Sequence, residues 1–474
     1  MLQQVVCDMP KMKTAAAMAV NALILLLLVG AQSCSRQSEK PVRPGARNTS
    51  VILITMDTLR ADVLGCYGAP FAHTDTLDAL AADGAVFLDA TSVAFGTTPS
   101  HASIMTSKYA AQHGVRDNQT PLATDTVTIA GILKARGYST AGFVSGYPVS
   151  KTMNLHLGFD RFDDRMEKDY YGIERRAALT SDAVLEWLAS REAGRPFFLW
   201  IHYFDPHSRY FPPKKYRLLF LPADDLVTRF RNSIIPDGGS GTEGNYSLPY
   251  DKYFVTQRAY YYGEVAYMDH ETGRVIRALK DMGIYDESLI IAVADHGETL
   301  EESGREIRFA HSTVHEEVAR VPLLVKLPGG AARGTVSRAP VCTLDILPTI
   351  MESLGAGADA GGFEGRSLIG LSSGIEDGAF SNRPIFFQAA NREGEGVKIG
   401  QFKYFSQKGE KLFNLKVDSS EQYNLMGAGL AQEQELKSMV AGWLDSLKST
   451  ADRRAPVAPD PETVKKLRQL GYIQ

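Results

Sequence analysis

Leu289-Ile290-Ile291-Ala292-Val293-Ala294, followed at once by Asp295-His296-Gly297-Glu298, decides the reading of this chain. An unbroken run of branched and small apolar residues describes a strand covered on both faces. The acid and imidazole at its end are metal-type ligands carried on the strand's tip. The same arrangement recurs far upstream, where Val51-Ile52-Leu53-Ile54-Thr55-Met56 runs into Asp57 and then Thr58-Leu59-Arg60-Ala61-Asp62. In open parallel α/β sheets, ligands bind at the carboxyl ends of strands. Two such tips, remote in sequence, can therefore meet at one site. The chain reads as a metal-dependent α/β enzyme.

Working outward, strand-like and helix-like segments alternate from Val51 onward, which argues a largely parallel sheet flanked by helices. Strands are expected at Val51–Met56, Tyr138–Val144, Pro196–His202, Leu289–Ala294 and Pro322–Lys326. Helices are expected at Thr76–Ala82, Val127–Arg136, Glu174–Ser190, Gln257–Met282 and Leu344–Leu354. Gly84, Gly137, Gly283 and Gly355 stop four of them. Lys214–Tyr250, rich in Pro, Gly and Asp, reads as a long insertion near the active face. After Gly374 the pattern changes. Pro384–Gln388 and Lys398–Phe405 look like antiparallel strands, and Gln432–Leu447 is an amphipathic helix. The expected organisation is a signal peptide over 1–33, a tether over 34–49, a catalytic domain over 50–375 and a small α+β domain over 376–474.

The 474 residues give ample room for these units, and 44% hydrophobic with 22% charged residues is ordinary for a globular protein. A net charge of −4 without a basic stripe argues against nucleic acid as a partner. Cys7, Cys34, Cys66 and Cys342 are too scattered for a disulfide framework or a cysteine zinc site; Cys66 and Cys342 are expected as two buried thiols, with a Cys66–Cys342 pair as the alternative. Lys11 and Lys13 precede an apolar stretch from Ala15 to Gly30, short of the roughly 20 residues a membrane span needs. It reads as an export signal. Cys34 then stands where a bacterial lipoprotein carries its lipidated cysteine, with simple cleavage and an uncleaved anchor as the alternatives. The expected location is periplasmic or cell-surface, with membrane attachment through Cys34.

A third element carries chemistry. In Phe95-Gly96-Thr97-Thr98-Pro99-Ser100-His101-Ala102-Ser103, Thr98 can cap a helix with Pro99 in its first turn, leaving backbone N–H groups to attract an oxyanion. Thr98, Ser100 and His101 are the candidate oxyanion contacts. Thr97 is a hydroxyl that can attack such a group if a metal lowers its pKa. Another apolar strand ends in His202-Tyr203-Phe204-Asp205-Pro206-His207, and His311 lies shortly before the Pro322 strand.

Taken in order, these motifs resemble the sulfatase family of the alkaline phosphatase superfamily. Val51–Gly68, with its Leu-Gly-Cys-Tyr-Gly, resembles the family's first motif. Thr97–Thr106 resembles its nucleophile motif, continuing through His113-Gly114-Val115. Phe204–Pro213, Asp295–Glu298 and Arg320–Gly329 follow in the family's order. Leu412-Phe413-Asn414-Leu415, with Glu421 to Leu425, resembles its C-terminal signature. The resemblance implies an alkaline-phosphatase-like fold. It makes Asp57, Asp295 and His296 metal ligands, with Thr97 a nucleophile that also touches metal. His207 becomes the histidine that contacts the transferred group or leaving oxygen. His311 stands where many sulfatases place a lysine.

The departures from the family pattern matter as much. Conventional members oxidise the Cys or Ser of a Cys-x-Pro-Ser-Arg motif to formylglycine; here Thr97 replaces that residue and His101 the arginine. A secondary alcohol cannot give an aldehyde, so no formylglycine is expected. Ser145 and Tyr147 stand about where the family has Lys and His, Thr58 replaces a second Asp, and His296 replaces an Asn. Formylglycine hydrate expels sulfate without attack at sulfur, whereas a threonine ester must be hydrolysed or its group passed on. That suits phosphoryl chemistry, and superfamily phosphodiesterases and phosphoglycerol or phosphoethanolamine transferases use threonine. An imidazole among the carboxylates favours zinc or manganese, with calcium and magnesium as alternatives. A second metal on Asp205, His207 and His311 would offset the lost positive charges. The expected activity is hydrolysis of an oxyanion ester, phosphate or phosphodiester before sulfate, with His207 or His311 protonating the leaving oxygen. A conventional sulfuric ester hydrolase, a phospho-group transferase and a non-catalytic binding relative are the alternatives.

Overall fold

The first apolar run is strand β1 (Val51–Met56), every residue of which is buried, because it lies at the middle of the large sheet. The structure is a computed structural model and describes residues 49–169, 172–221, 250–300, 311, 313–357, 362–389 and 394–450. The expected signal peptide, nearly all of the tether including Cys34, most of the insertion after Lys214, and the last residues of the chain lie outside these.

The large sheet contains, in chain order, β1, β2 (Ala85–Phe87), β4 (Ser139–Val144), β5 (Arg161–Asp163), β6 (Phe197–Tyr203), β7 (Leu289–Ala294), β8 (Leu323–Lys326) and β9 (Thr335–Ser337). Its spatial order is β9-β2-β8-β7-β1-β6-β4-β5. β1 runs parallel to both β7 and β6, with Met56 level with Ala294 on one side and Tyr203 on the other. That register is what positions the site: three strands end at the same height, and Asp57, Asp295 and the Phe204 loop leave the sheet side by side. The β8 segment departs from a purely parallel arrangement. It pairs antiparallel with both β7 and β2.

The long helices are α1 (Asp75–Asp83), α2 (Thr97–Thr106), α3 (Ile129–Ala135), α4 (Ala177–Ser190), α5 (Tyr250–Asp281), α6 (Ile346–Ser353) and α7 (Ala431–Thr450). α5 is longer at its N-terminal end than its apolar periodicity suggested, and α4 starts later because Gly172–Glu174 is a short strand. Gly137, Gly283 and Gly355 take positive φ after their helices, as expected. Gly84 instead is extended, and its reason is space: a Cβ there would sit 2.7 Å from the Val325 carbonyl oxygen. Cys66 and Cys342 are unpaired thiols, Cys342 buried but Cys66 only half-buried, contrary to expectation.

A second, five-stranded sheet has the order β13 (Glu410–Asn414), β12 (Phe402–Ser406), β11 (Glu395–Ile399), β10 (Ile385–Ala389), β3 (Ala94–Phe95). Lys398–Phe405, expected as one strand, is the β11–β12 hairpin, broken where Gly400 takes a φ of 55°. The strand β3 comes from the catalytic segment and pairs parallel with β10, Phe95 level with Ala389. The small sheet therefore holds the chain immediately before α2. Phe95 packs with Phe387, Phe405 and Phe413 in its core.

Candidate active site

Asp57, Thr97, Asp295, His296 and Glu298 are all fully buried at the tips of β1 and β7 and the start of α2. One donor atom from each of Asp57, Asp295 and His296 lies within 4.8 Å of the others, a spacing that a single ion can bridge. Three strand-tip residues thus converge as the register demands.

The local bonding fixes which atoms face inward. Asp295 Oδ1 accepts backbone N–H groups from His296 (2.7 Å) and Thr58 (3.2 Å), which leaves Oδ2 directed to the site. His296 Nδ1 donates to the Gly297 carbonyl at 3.0 Å, so Nε2 carries the lone pair, 3.4 Å from Asp295 Oδ2. A ring whose far N–H is held by a backbone carbonyl is the usual arrangement of a metal-binding histidine. Gly297 has no alternative, because a Cβ would stand 2.1 Å from the Glu317 carbonyl oxygen. Thr58, next to Asp57, holds a strained φ of 51° while Tyr261 accepts from Arg60 N–H and donates to the Thr58 carbonyl.

The donor set fits a divalent ion on physical grounds. Both Asp57 oxygens, Asp295 Oδ2, Thr97 Oγ1 and His296 Nε2 are buried and lack a hydrogen-bond partner of ordinary geometry among the described residues. Leaving several such groups unmatched costs several kcal/mol. Burial pushes the Asp57 carboxyl up to about 8, with Glu298 adding to it; His311 and the adjacent Thr97 hydroxyl pull the other way. Burial and the charge of Asp57 likewise raise Asp295 well above the ordinary carboxylate range. His296 is lowered well below the usual imidazole value, first by burial and then by His311. Each shift is of the kind a cation would relieve.

Thr97 is the first residue of α2, and the helix cap is Gly96, two residues earlier than the expected Thr98 cap. The residues expected to contact an oxyanion have partners within the protein. Thr98 N–H donates to Asn118 Oδ1 at 2.9 Å and its hydroxyl to the Pro148 carbonyl at 2.8 Å. Ser100 Oγ donates to the Asp295 carbonyl at 2.7 Å. His101 Nδ1 donates to the Thr97 carbonyl at 2.7 Å and Nε2 accepts from the Thr55 hydroxyl at 3.1 Å. These bonds tie α2 to β1 and to Asp295 and give each of the three residues a partner within the protein.

His207 and His311 stand together, with ring centres 5.2 Å apart, and His311 is 4.6 Å from His296. Their electrostatics differ. Burial drives His207 down to about 3, so it is neutral. For His311 burial also acts downward, but the Glu298 carboxylate, 3.8 Å away, with the charges of Asp57 and Asp295, raises it above the ordinary value. Asp205 has one oxygen engaged elsewhere. Its Oδ1 accepts the Ala177 N–H at 3.0 Å at the start of α4, and its neighbours are Arg176, Glu271 and Glu264. That oxygen is committed to a helix start, while Asp205 Oδ2 is buried without a partner of ordinary geometry.

Two participants were not singled out from the sequence. Glu298 ends the same strand-tip tetrapeptide as Asp295, and its acid type was the available signal. His202, the last-but-one residue of β6, lies level with Thr55 and brings Nε2 to 3.5 Å from Asp57 Oδ2.

The sulfatase family profile matches residues 49–356, and the chain belongs to the sulfatase family. It is 24% identical over 367 residues to the ulvan-active sulfatase of Formosa agariphila, covering 70% of this chain and 67% of that protein. Among solved structures, the fold matches a protein solved in complex with its substrate D-glucosamine-2-N,6-O-disulfate, with a TM-score of 0.69 and 19% identity over 86% of this chain and 100% of the other. It also matches the phosphonate monoester hydrolase of Agrobacterium radiobacter, with a TM-score of 0.66 and 22% identity over 87% of this chain and 100% of the other. The protein is a sulfatase-family hydrolase.

Proposed function

We propose that this hydrolase is exported and metal-dependent and cleaves a phosphoryl-type ester, phosphodiester or phosphonate before sulfate, through Thr97. The observation that carries the reading is the Thr97 hydroxyl, buried and without a hydrogen-bond partner of ordinary geometry, at the start of α2 beside Asp57. A divalent ion held by Asp57, Thr97, Asp295 and His296 would supply Lewis acidity and lower the hydroxyl's pKa. Zinc or manganese suits this oxygen-and-imidazole set.

Thr97 Oγ1 gives up its proton to solvent and attacks the phosphorus in line, and the bond from phosphorus to the leaving oxygen breaks. That oxygen takes a proton from His311, which Glu298 keeps protonated; His207, neutral, contacts the transferred group. Water then attacks the threonyl ester, releases the group and restores the hydroxyl. A second ion would use His207, His311 and Glu298.

The test is kinetics on an aryl phosphodiester, phosphonate monoester, phosphate monoester and sulfate ester, with intact-mass trapping of the Thr97 adduct. Diester or phosphonate turnover with a trapped phosphothreonyl species supports the reading. Sulfate-only turnover, or an aldehyde at residue 97, refutes it. Added acceptor alcohol that captures the group would identify a transferase. Export and lipidation are read from residues 1–34, and globomycin-sensitive processing at Cys34 would establish them.

A further inference from the structure

The proposed metal site contains an imidazole whose placement the catalytic steps leave unused. His202 is fully buried on β6 and flanked by β1 and β4, level with Thr55 and Val144. Ser145 N–H points at its Nδ1 from 3.4 Å, and Ser145 Oγ donates to the His202 carbonyl at 2.7 Å. A neutral ring that accepts at Nδ1 carries its proton on Nε2. That proton faces Asp57 Oδ2 across 3.5 Å, just outside ordinary hydrogen-bond geometry.

The packing leaves His202 little freedom to do anything else. Its ring meets that of His101 edge-on at 4.9 Å. His101 is itself fixed, because Trp200 Nε1 donates to Thr55 Oγ1 at 2.9 Å and the Thr55 hydroxyl donates on to His101 Nε2. On the far side, a Cβ on Gly146 would come within 3.3 Å of His202 Cε1 and 2.6 Å of the Phe204 ring, so only glycine admits the two rings. Ser145, standing about where the family places a lysine, thus provides the two bonds that orient His202.

We propose that His202 is a positioning residue for Asp57, its Nε2–H holding Oδ2 so that the carboxylate is preset to bind the ion. The inference rests on the reading of Asp57, Asp295 and His296 as metal ligands. A neutral donor orients a ligating carboxylate without competing with the ion for charge, and such outer partners typically change metal affinity by about 10–100-fold.

The test uses the full chain stripped of metal and titrated with zinc alone against a chromogenic chelator, for wild type, His202→Leu, His202→Gln and Asp57→Asn. His202→Leu keeps the bulk and removes the donor, and about 10–100-fold weaker zinc binding is expected. His202→Gln returns an N–H at similar reach and is expected to recover most of the affinity. Wild-type affinity in His202→Leu, or equal losses in both His202 variants, overturns the inference. If Asp57→Asn binds zinc like wild type, the metal-site reading fails and takes the inference with it. A loss in Asp57→Asn alone removes only the role of His202. The imidazole ¹⁵N signals of wild type give an independent check that needs no variant. His202 is expected as the Nε2–H tautomer, with His101 and His296 as Nδ1–H tautomers; an Nδ1–H signal from His202 overturns the proposal.

Discussion

Thr97→Ala separates function from stability more sharply than any other substitution in the site. The substitution removes Oγ1 and one methyl from a residue that is fully buried. Because Oγ1 lacks a hydrogen-bond partner of ordinary geometry, its removal relieves an unmatched polar group rather than breaking a bond. That gain, about 1–3 kcal/mol, opposes a loss of about 0.8 kcal/mol for the buried methyl. Alanine is also the better helix former at the start of α2, by a few tenths of a kcal/mol. The metal-free variant is therefore expected to melt at or slightly above the wild-type temperature. Activity should behave in the opposite way. Deleting a covalent nucleophile costs on the order of 10⁴-fold or more, about 5.5 kcal/mol in the barrier. The assay pairs calorimetry of the metal-free proteins with turnover of an activated aryl phosphodiester. Near-normal turnover by Thr97→Ala would refute the nucleophile assignment and transfer the role to a water molecule. A large drop in melting temperature would refute the claim that Oγ1 is unmatched.

Three further outcomes follow from the electrostatics. Glu298→Gln removes the charge that raises His311, so the imidazole loses its proton at lower pH; the alkaline limb of the pH–kcat profile should move to lower pH, most visibly for poor leaving groups, and an unmoved limb would exclude His311 as the acid. Asp57 is pushed up to about 8 by burial, and burial with the charge of Asp57 raises Asp295; zinc binding should therefore release protons and tighten as pH rises, which calorimetry in buffers of different ionisation enthalpy will read, and binding without proton release would contradict it. Singly charged esters should outrun dianionic phosphate monoesters in kcat/KM by at least about tenfold, measured with one common aryl leaving group.

The strand tips were legible because β1, β6 and β7 are continuous apolar runs ending in ligand-type residues, a pattern that depends only on burial. Strand direction was not legible, since periodicity is the same either way, and β8 pairs antiparallel with both neighbours. The short strands β2, β5 and β9, three residues each, are too brief to show any period. The placing of Thr97 at a helix start could be read from Pro99. The partners of Thr98, Ser100 and His101 could not, because Asn118, Pro148, Asp295 and Thr55 reach them only through the fold. Asp205 shows the same limit, its role at the start of α4 being set by a helix far from its own motif.

Under the proposed reading, charge balance favours a singly charged ester at this site. On the proposed reading, in which His311 is the protonated acid, a bound divalent ion keeps Asp57 and Asp295 ionised, and Glu298 faces that imidazolium 3.8 Å away. Three carboxylates against one imidazolium and one divalent ion leave the described groups at the site close to neutral. A monoanion then adds one charge to a neutral, buried surface, whereas a dianion adds two, with a correspondingly larger desolvation cost. Family members with an arginine and a lysine at the positions of His101 and Ser145 would carry two more positive charges there. Both replacements here are neutral: burial keeps the His101 imidazole well below its usual value, and serine has no charge to give. Aryl sulfates, phosphodiesters and phosphonate monoesters are all monoanions, so charge alone admits all three. The choice among them falls to the nucleophile. An unoxidised threonine forms an ester that water must cleave at the central atom, and attack at phosphorus is the easier of the two. A second divalent ion on His207, His311 and Glu298 would reverse the charge argument and favour the dianion, so the monoester-to-diester ratio reports the number of ions at the site.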